Sequence, residues 1–483
     1  MRWEVLKSIP NSMEKETTMY FSLEKNGIDI KTFAEFIEGT ATTQEAPLAY
    51  GISTDSRTAK AGEAFFALRG ENFDGHRFIP AAEKAGCVFA VVEYIPENCK
   101  IPCILVKNTT EALGKFARSY KELFRPITLA VTGSVGKTTT KQFIFSVLET
   151  KYTTNVTKGN FNNEIGLPLT VLNLNADHNA LLLEMGMNHK GEISYLSHIA
   201  EPDIAVITNI GSSHLENLGS REGIRDAKME IIDGMKKGGI LILNANEPLL
   251  DGVDAKGLTT IYIGTENKNA AYSAENIRMF DDHMLFDIRM RNTDLMKDVR
   301  VNVVGKHHVH NALTATVCGM LLAISEENIR QGLLNFVGAD MRQSITEKNG
   351  ITVIEDCYNA SPESMRAGLD VLCHTAKVKE KRPVAVLGDM KELGNISPEA
   401  HFGVGAYAAA CGIAQLITFG SAAVGIAQGA IEGGMPEKNV LIIEDSDNAE
   451  NASALLKTVL HENDVALFKA SRAVALERLI RLL

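Results

Sequence analysis

Thr132-Gly133-Ser134-Val135-Gly136-Lys137-Thr138-Thr139-Thr140 decides how the rest of the chain is read. Before it, Ile127-Thr128-Leu129-Ala130-Val131 is an apolar, β-branched run with the character of a buried strand. After it, Lys141-Gln142-Phe143-Ile144-Phe145-Ser146-Val147-Leu148 spaces its apolar residues as a helix does. The two glycines therefore lie between a strand and a helix N-terminus, which is the arrangement that holds a polyphosphate. Gly133 and Gly136 let the backbone come close, while unpaired N–H groups and the positive end of the helix dipole face the anion. Lys137 is placed to neutralise the outer phosphates, and Thr138 to set its hydroxyl on Mg²⁺. Ser134, Val135 and Thr139 complete the expected phosphate loop. The full pattern has a glycine five residues before the second one; Val131 stands there, so this is a shortened variant. The plainer reading, a glycine turn before a helix, leaves Gly-Lys-Thr-Thr unexplained.

At 483 residues the chain is too long for one ordinary domain, and length alone suggests roughly three. A net charge of −11 argues against non-specific nucleic-acid binding, which needs a basic surface. No apolar run approaches the ~20 residues of a membrane span. The start, Met1-Arg2-Trp3-Glu4-Val5, lacks a signal pattern. Seven scattered cysteines fit neither a zinc site nor a disulfide framework, as expected of a cytoplasmic protein.

Outward from the loop, the fold class expected is α/β in three parts. Residues 1–28 are polar and aperiodic, and read as an extension or arm. Residues 29–125 read as a small α/β domain, with strands at Ala64–Leu68 and Val88–Val92 and helices at Phe78–Ala85 and Thr109–Leu123, the latter capped by Thr109 or Thr110. Arg125-Pro126 breaks the chain. Residues 126–337 alternate strands and helices around continuous apolar runs such as Ala180–Leu183, Ile204–Ile207 and Ile240–Leu243, which suit a parallel sheet covered on both faces. Residues 338–483 repeat the alternation as a doubly wound, Rossmann-like domain.

Active groups in such sheets collect at the carboxyl ends of strands. One end carries the phosphate loop. A second carries Glu184, costly to bury unless paired or bound to metal. A third runs Thr208-Asn209-Ile210-Gly211-Ser212-Ser213-His214. Thr138, Glu184 and His214 together suit Mg²⁺, which takes few protein ligands and keeps phosphates and waters. Singly, each has a plainer reading as a helix cap or a solvated loop residue. Gly159-Asn160-Phe161-Asn162-Asn163-Glu164-Ile165-Gly166 is a polar loop suited to approach a ligand, or a connector. Lys228 reads on physics alone as a solvated helix lysine. In the last part, Arg342 is placed to reach a phosphate across a cleft, and Asp356 to bond ribose hydroxyls; a surface ion and a cap are equally open readings.

From about residue 30 to the end, the chain resembles the Mur ligases, the ATP-dependent amide-forming enzymes of peptidoglycan precursor synthesis. The carrying residues are Thr132–Thr138, Gly159–Gly166, Glu184-Met185-Gly186, Asn209-Ile210-Gly211 with His214-Leu215-Glu216, and Ala227-Lys228. Gly305-Lys306-His307-His308 with Asn311-Ala312 is similar to the family's Gly-x-His-Asn-x-x-Asn signature, with His308 in place of the first Asn. Lys469-Ala470-Ser471-Arg472 departs from Lys-Gly-Ser-Arg at one residue. Both ends look like the branch that adds D-alanyl-D-alanine: Ser53-Thr54-Asp55-Ser56-Arg57 and Gly70-Glu71-Asn72-Phe73-Asp74-Gly75-His76 in the first domain, Tyr358–Met365 and Leu387–Gly394 in the third.

The resemblance implies a UDP-sugar-binding first domain, a central ATP-binding domain and a third domain that closes over it. It implies that ATP phosphorylates the terminal carboxylate of UDP-MurNAc-tripeptide, and that the amine of D-Ala-D-Ala attacks the acyl phosphate. Lys137, Glu184, His214 and Lys228 would be catalytic, with Lys228 carbamylated. Two Mg²⁺ ions would be held among Thr138, Glu164, Glu184, His214 and Lys228. Asn311, Arg342 and Asp356 would join the loop around ATP. Ser53, Asp55, Ser56, Arg57, Asn162, Asn163, Tyr358, Asn359 and Ser361 would bind substrate. A cytoplasmic monomer without nucleic-acid partners is expected. The alternatives are another Mur-type ligase that adds a single amino acid, and a nucleotide-gated regulatory NTPase.

Overall fold

The strand Ile127–Thr132 lies inside a nine-stranded sheet, and everything at its carboxyl end converges on one crevice. The computed structural model describes residues 23–70, 73–267, 269–291, 293–444 and 449–483. The expected arm therefore lies outside the described residues up to position 22, as do Glu71 and Asn72. From Leu23 the chain is folded, contrary to an arm reaching residue 28. Leu23–Asn26 is a short helix, and Ile28–Asp29 pairs antiparallel with Leu48–Ala49, because Leu23 and Ile28 have apolar surface to bury.

The central sheet runs in the order Thr154–Val156, Ala180–Glu184, Ile127–Thr132, Ile204–Ile207, Ile240–Asn244, Thr259–Thr265, Tyr272–Met279, Met284–Met290, Thr293–Val301. The first seven are parallel; the last two turn back as an antiparallel extension. Leu129, Leu182, Val206 and Ile242 are buried on one face, Ala130, Leu183, Ala205 and Leu241 on the other. That two-sided burial explains why these strands read as unbroken apolar runs. Chain order reverses around Ile127–Thr132, so this strand borders the topological switch point where such sheets bind ligands. Register then fixes the neighbours: Val131 lies beside Glu184, and Thr132 beside Ile207.

The first sheet has five strands, in the order Thr40–Ala41, Cys103–Leu105, Phe89–Val92, Glu63–Phe66, Gly51–Ser53. Its helix Thr109–Glu122 bridges to the central sheet. Tyr120 donates to the carbonyl of Leu174 at 3.0 Å, and buried Lys121 donates to the carbonyl of Ala200 at 2.6 Å. The helix cap is Asn108, not Thr109 or Thr110. Its side-chain oxygen accepts from the N–H groups of Thr110 and Glu111, each at 2.9 Å.

The third sheet orders its strands Ser344–Lys348, Ile351–Asp356, Asp464–Lys469, Arg382–Gly388, Gln415–Phe419, Val440–Ile443, all parallel except the first. Its strand ends face those of the central sheet across the crevice.

Candidate functional site

The phosphate loop is shaped by two glycines and by Asn209. Gly133 has φ +152°, and a Cβ there would stand 1.9 Å from Thr208 Oγ1. Gly136, at φ +82°, takes the left-handed turn that starts the helix Lys137–Leu148. The Asn209 carbonyl and side-chain oxygens accept from the N–H groups of Ser134 and Val135, and its amide donates back to the Val135 carbonyl. The first helical bond runs from Thr140 N–H to the Gly136 carbonyl, and no side chain caps the helix. Among the described residues the N–H groups of Lys137, Thr138 and Thr139 thus have no protein acceptor, which is the configuration that receives phosphate oxygens. Ser134 Oγ is likewise buried without a partner. Lys137 folds back to donate to the Gly133 carbonyl at 2.9 Å, and burial holds its ammonium below the ordinary lysine range.

This loop is one wall of a cavity of about 670 Å³. Asn162, Asn163, Glu164, Glu184 and His214 line it from the central sheet, with Asn311 from the helix Lys306–Leu321. Arg342, Asp356, Tyr358, Asn359, Ser361 and Lys469 line it from the third. Asn244, Asn246 and Thr265 also reach it. The sequence reading passed over them, although Asn244 ends an apolar strand as Glu184 does.

The buried groups arrive paired. Glu184 is 2% exposed; Asn162 Nδ2 donates to its Oε1 at 2.9 Å, and Lys141 Nζ stands 3.2 Å from its Oε2. Burial pushes the Glu184 carboxyl up, but Lys141, then Lys137 and the Asn162 amide, outweigh it and leave it below the ordinary value. Asn311 Oδ1 accepts from Thr140 Oγ1 at 3.0 Å. The Asp356 reading as a group free for ribose meets an occupied carboxylate: register places it beside Lys469, whose Nζ donates to Oδ2 at 2.6 Å. Arg342 stacks its guanidinium 4.1 Å from the Tyr358 ring centre. Ser361 is the N-cap of the helix Pro362–Lys379, accepting from Ser364 N–H, so it has a structural task besides lining the cavity.

Lys228 departs from the solvated lysine of the unaided reading. It is 1% exposed on the helix Arg221–Met229, and among the described residues its Nζ has no hydrogen-bond or ion-pair partner. Burial, then the charge of Lys137, drives its ammonium well below the ordinary range. The first-domain candidates are not brought to this cavity. Ser53, Asp55, Ser56 and Arg57 form a turn closed on itself after the strand Gly51–Ser53, with Arg57 Nη2 2.6 Å from Asp55 Oδ2 and Ser53 Oγ donating to the Asp55 carbonyl.

Among the described residues, no group of three or more His, Cys, Asp or Glu side chains is placed to hold a metal unaided. The hydroxyl of Thr138, the carboxylates of Glu164 and Glu184, and the imidazole of His214 do surround the cavity. Sparse oxygen and nitrogen donors around a phosphate loop fit Mg²⁺, which draws the rest of its shell from phosphate and water. No helix among the described residues is long and apolar enough to cross a membrane.

Comparison with known proteins finds matches in all three parts of the chain. Residues 49–121 match the Mur ligase family catalytic domain, residues 131–319 the Mur ligase middle domain, and residues 341–472 the Mur ligase glutamate ligase domain. The UDP-N-acetylmuramoyl-tripeptide–D-alanyl-D-alanine ligase of Bacillus subtilis is 38% identical over 460 residues, covering 94% of this chain and 97% of that protein. The crystal structure of MurF from Acinetobacter baumannii superposes with a TM-score of 0.84 at 31% identity, covering 94% of this chain and 98% of that one. The MurF ligase of Thermotoga maritima in complex with ADP gives 0.79 at 29% identity, covering 89% and 96%.

Proposed function

This chain belongs to the Mur ligase family, and from that premise we propose that it joins D-alanyl-D-alanine to UDP-MurNAc-tripeptide at the expense of ATP, giving the pentapeptide precursor of peptidoglycan. The observation that carries the chemistry is the shared cavity, with a phosphate loop on one wall and Arg342, Asp356 and Lys469 of another sheet on the facing wall. The choice of acceptor rests on the full-length likeness to ligases of that name.

A carboxylate is a poor electrophile because oxide is a poor leaving group, and phosphorylation corrects that. The loop N–H groups and Lys137 hold the ATP phosphates and screen them as the γ-phosphoryl passes to the tripeptide carboxylate. Thr138 with Glu164 or Glu184 would hold Mg²⁺, and His214 with Lys228 a second ion; such ions would supply further cationic screening where two anions meet. Lys228 takes that part as a carbamate. Burial drives its ammonium well below the ordinary range and so favours the free amine, the form that attacks CO₂; the new N–C bond forms with loss of one proton to solvent and places an anion beside Lys137. Asn311 and Arg342 contact the nucleotide. Asp356 reaches the ribose through its free oxygen while Lys469 holds the other. Asn162, Asn163, Tyr358, Asn359 and Ser361 shape the floor on which the two peptide substrates meet, and the Ser53–Arg57 turn receives the uridine-diphosphate end. Seating of the third sheet excludes water from the acyl phosphate.

The division of labour runs by domain: 29–125 for the nucleotide sugar, 126–337 for ATP and 338–483 for closure, in a cytoplasmic monomer. The test is phosphate release with ATP, Mg²⁺ and UDP-MurNAc-tripeptide, with and without D-Ala-D-Ala. Release that depends on the dipeptide, with a matching mass gain on the nucleotide sugar, is expected. Dependence on a single amino acid would move the chain to a neighbouring ligation step, and release without any acceptor would make it an NTPase.

A further inference from the structure

His214 and Glu392 come from different sheets and meet at the edge of the cavity. His214 ends the loop after Ile204–Ile207; Glu392 lies in the loop after Arg382–Gly388. Both are non-glycine residues at φ +65°, a left-handed conformation that is unfavourable for an L-residue and persists only where surroundings enforce it. The surroundings are mutual. Nδ1 of His214 stands 2.7 Å from Oε2 of Glu392. The Glu216 N–H points at the Glu392 carbonyl at 3.4 Å, and Gly394 packs so closely on Glu216 that a Cβ would meet its Cα at 3.2 Å. A second strut lies nearby, where Ser212 Oγ donates to Glu363 Oε1 at 2.7 Å.

The His214 ring lines the cavity, yet its Nδ1 is out of solvent and against Glu392. The edge it offers to the cavity is therefore Nε2, which has no partner among the described residues. A metal-binding imidazole needs a bare lone pair on one nitrogen and a proton on the other, and a carboxylate at the protonated edge fixes that tautomer and ring direction.

We propose that Glu392 is a positioning residue for the metal site: carried by the third sheet to Nδ1 of His214, it turns Nε2 toward the cavity, so that divalent-metal binding and seating of the third sheet strengthen one another. This rests on the reading of His214 as a metal ligand. The linkage is reciprocal by thermodynamic necessity. A metal on Nε2 would polarise the ring and draw Nδ1–H toward Glu392; the seated loop, in turn, would raise affinity for the metal.

The test uses the full chain with a non-hydrolysable ATP analogue. Mn²⁺ is titrated and its free form read by electron paramagnetic resonance, while small-angle scattering follows the radius of gyration. In Glu392→Ala the weaker class of Mn²⁺ sites should lose roughly 10- to 100-fold in affinity, and the metal-dependent contraction should disappear. Glu392→Gln, whose amide oxygen can take the place of the carboxylate oxygen 2.7 Å from Nδ1, should lose less than Glu392→Ala. His214→Ala should weaken the same class. If His214→Ala weakens it and Glu392→Ala does not, the role of Glu392 is overturned while the ligand reading stands. If His214→Ala changes nothing, the ligand reading itself fails. A contraction that persists in Glu392→Ala overturns the linkage.

Discussion

Lys141→Met isolates the most deeply buried charge pair of the site. Lys141 is 1% exposed, one helical turn beyond Lys137, and touches two things. Its Nζ donates to the Thr157 carbonyl at 2.7 Å and stands 3.2 Å from Glu184 Oε2. Methionine keeps most of the volume and removes the charge. Glu184 then stays buried with the Asn162 amide at one oxygen and the more distant Lys137 and Arg342 as its remaining cations. Stripping one partner from a buried pair costs about 3–5 kcal/mol; with Lys137 still contributing, the lower end is expected.

The strand Ala180–Glu184 reports this loss directly. Hydrogen exchange of its amides should accelerate roughly 150-fold at 3 kcal/mol and about 4,500-fold at 5. The pH dependence has a definite sign. In the parent protein the Glu184 carboxyl lies below its unfolded value of 4.5, so its contribution is present above pH 4.5 and fades as pH falls through the folded value. Without Lys141 the carboxyl rises from that lowered value. The penalty is then full at neutral pH, shrinks as pH falls, and vanishes only below the parent's folded value, where Glu184 is protonated in every state. Adding Glu184→Gln to Lys141→Met should recover most of the loss at pH 7. Exchange unchanged within threefold at pH 7, or a penalty that grows on acidification, would refute the reasoning.

Four further outcomes follow from the geometry. Gly133→Ala drives a methyl to 1.9 Å from Thr208 Oγ1, and should abolish ATP-analogue binding by calorimetry while costing about 1–3 kcal/mol in stability. Lys137→Ala should lower the rate of phosphate release on the order of 10²-fold or more, because the outer phosphates lose their cation; a variant with full activity would falsify the proposed chemistry. Lys228 should show a carbamate carbon by nuclear magnetic resonance in ¹³C-bicarbonate, and the signal should vanish in Lys228→Ala. Asn108→Ala leaves the N–H groups of Thr110 and Glu111 uncapped and should cost about 1 kcal/mol, read as a lowered melting temperature.

The parallel strands Ile127–Thr132, Ala180–Glu184, Ile204–Ile207 and Ile240–Asn244 were legible because burial on both faces leaves them almost entirely apolar, as in Leu181, Leu182 and Leu183, whereas the polar Thr154–Val156 and Thr259–Thr265 were not. The antiparallel extension was not. Tyr272–Met279, Met284–Met290 and Thr293–Val301 carry Glu275, Arg278, Asp287, Arg289 and Asp294 between buried residues, and register shifts at Glu275 and Ile288 break the alternation that marks a one-sided strand. The phosphate loop was legible because its chemistry is local, with donors, glycines and lysine inside nine residues. Its partner Asn209 was not, since the bond to Val135 depends on which strand lies next to Ile127–Thr132. The same limit explains Asp356. The carboxylate at a strand end was visible, but the cation that takes one of its oxygens lies 113 residues away and becomes its neighbour through strand order.

That pattern of occupied groups bears on how the site works. Glu184 faces Lys141, Asp356 faces Lys469, and His214 faces Glu392, so these three groups at the cavity wall have a protein partner before any ligand arrives. An uncompensated buried charge would cost several kcal/mol, so pairing is what lets these groups sit at strand ends at all. The pairs differ in what a ligand can do to them. Lys141–Glu184 lies within one sheet and its helix, and both partners are fixed by packing. Asp356–Lys469 joins adjacent strands of the third sheet, so it stays intact wherever that sheet sits. His214–Glu392 alone of these three spans two sheets, and its distance must change if the third sheet moves. Lys228 has no partner of any kind among the described residues. Under the proposed roles, the fixed pairs hold the groups assigned to phosphate and nucleotide, whereas the spanning pair and the unpaired lysine are those assigned to the second metal.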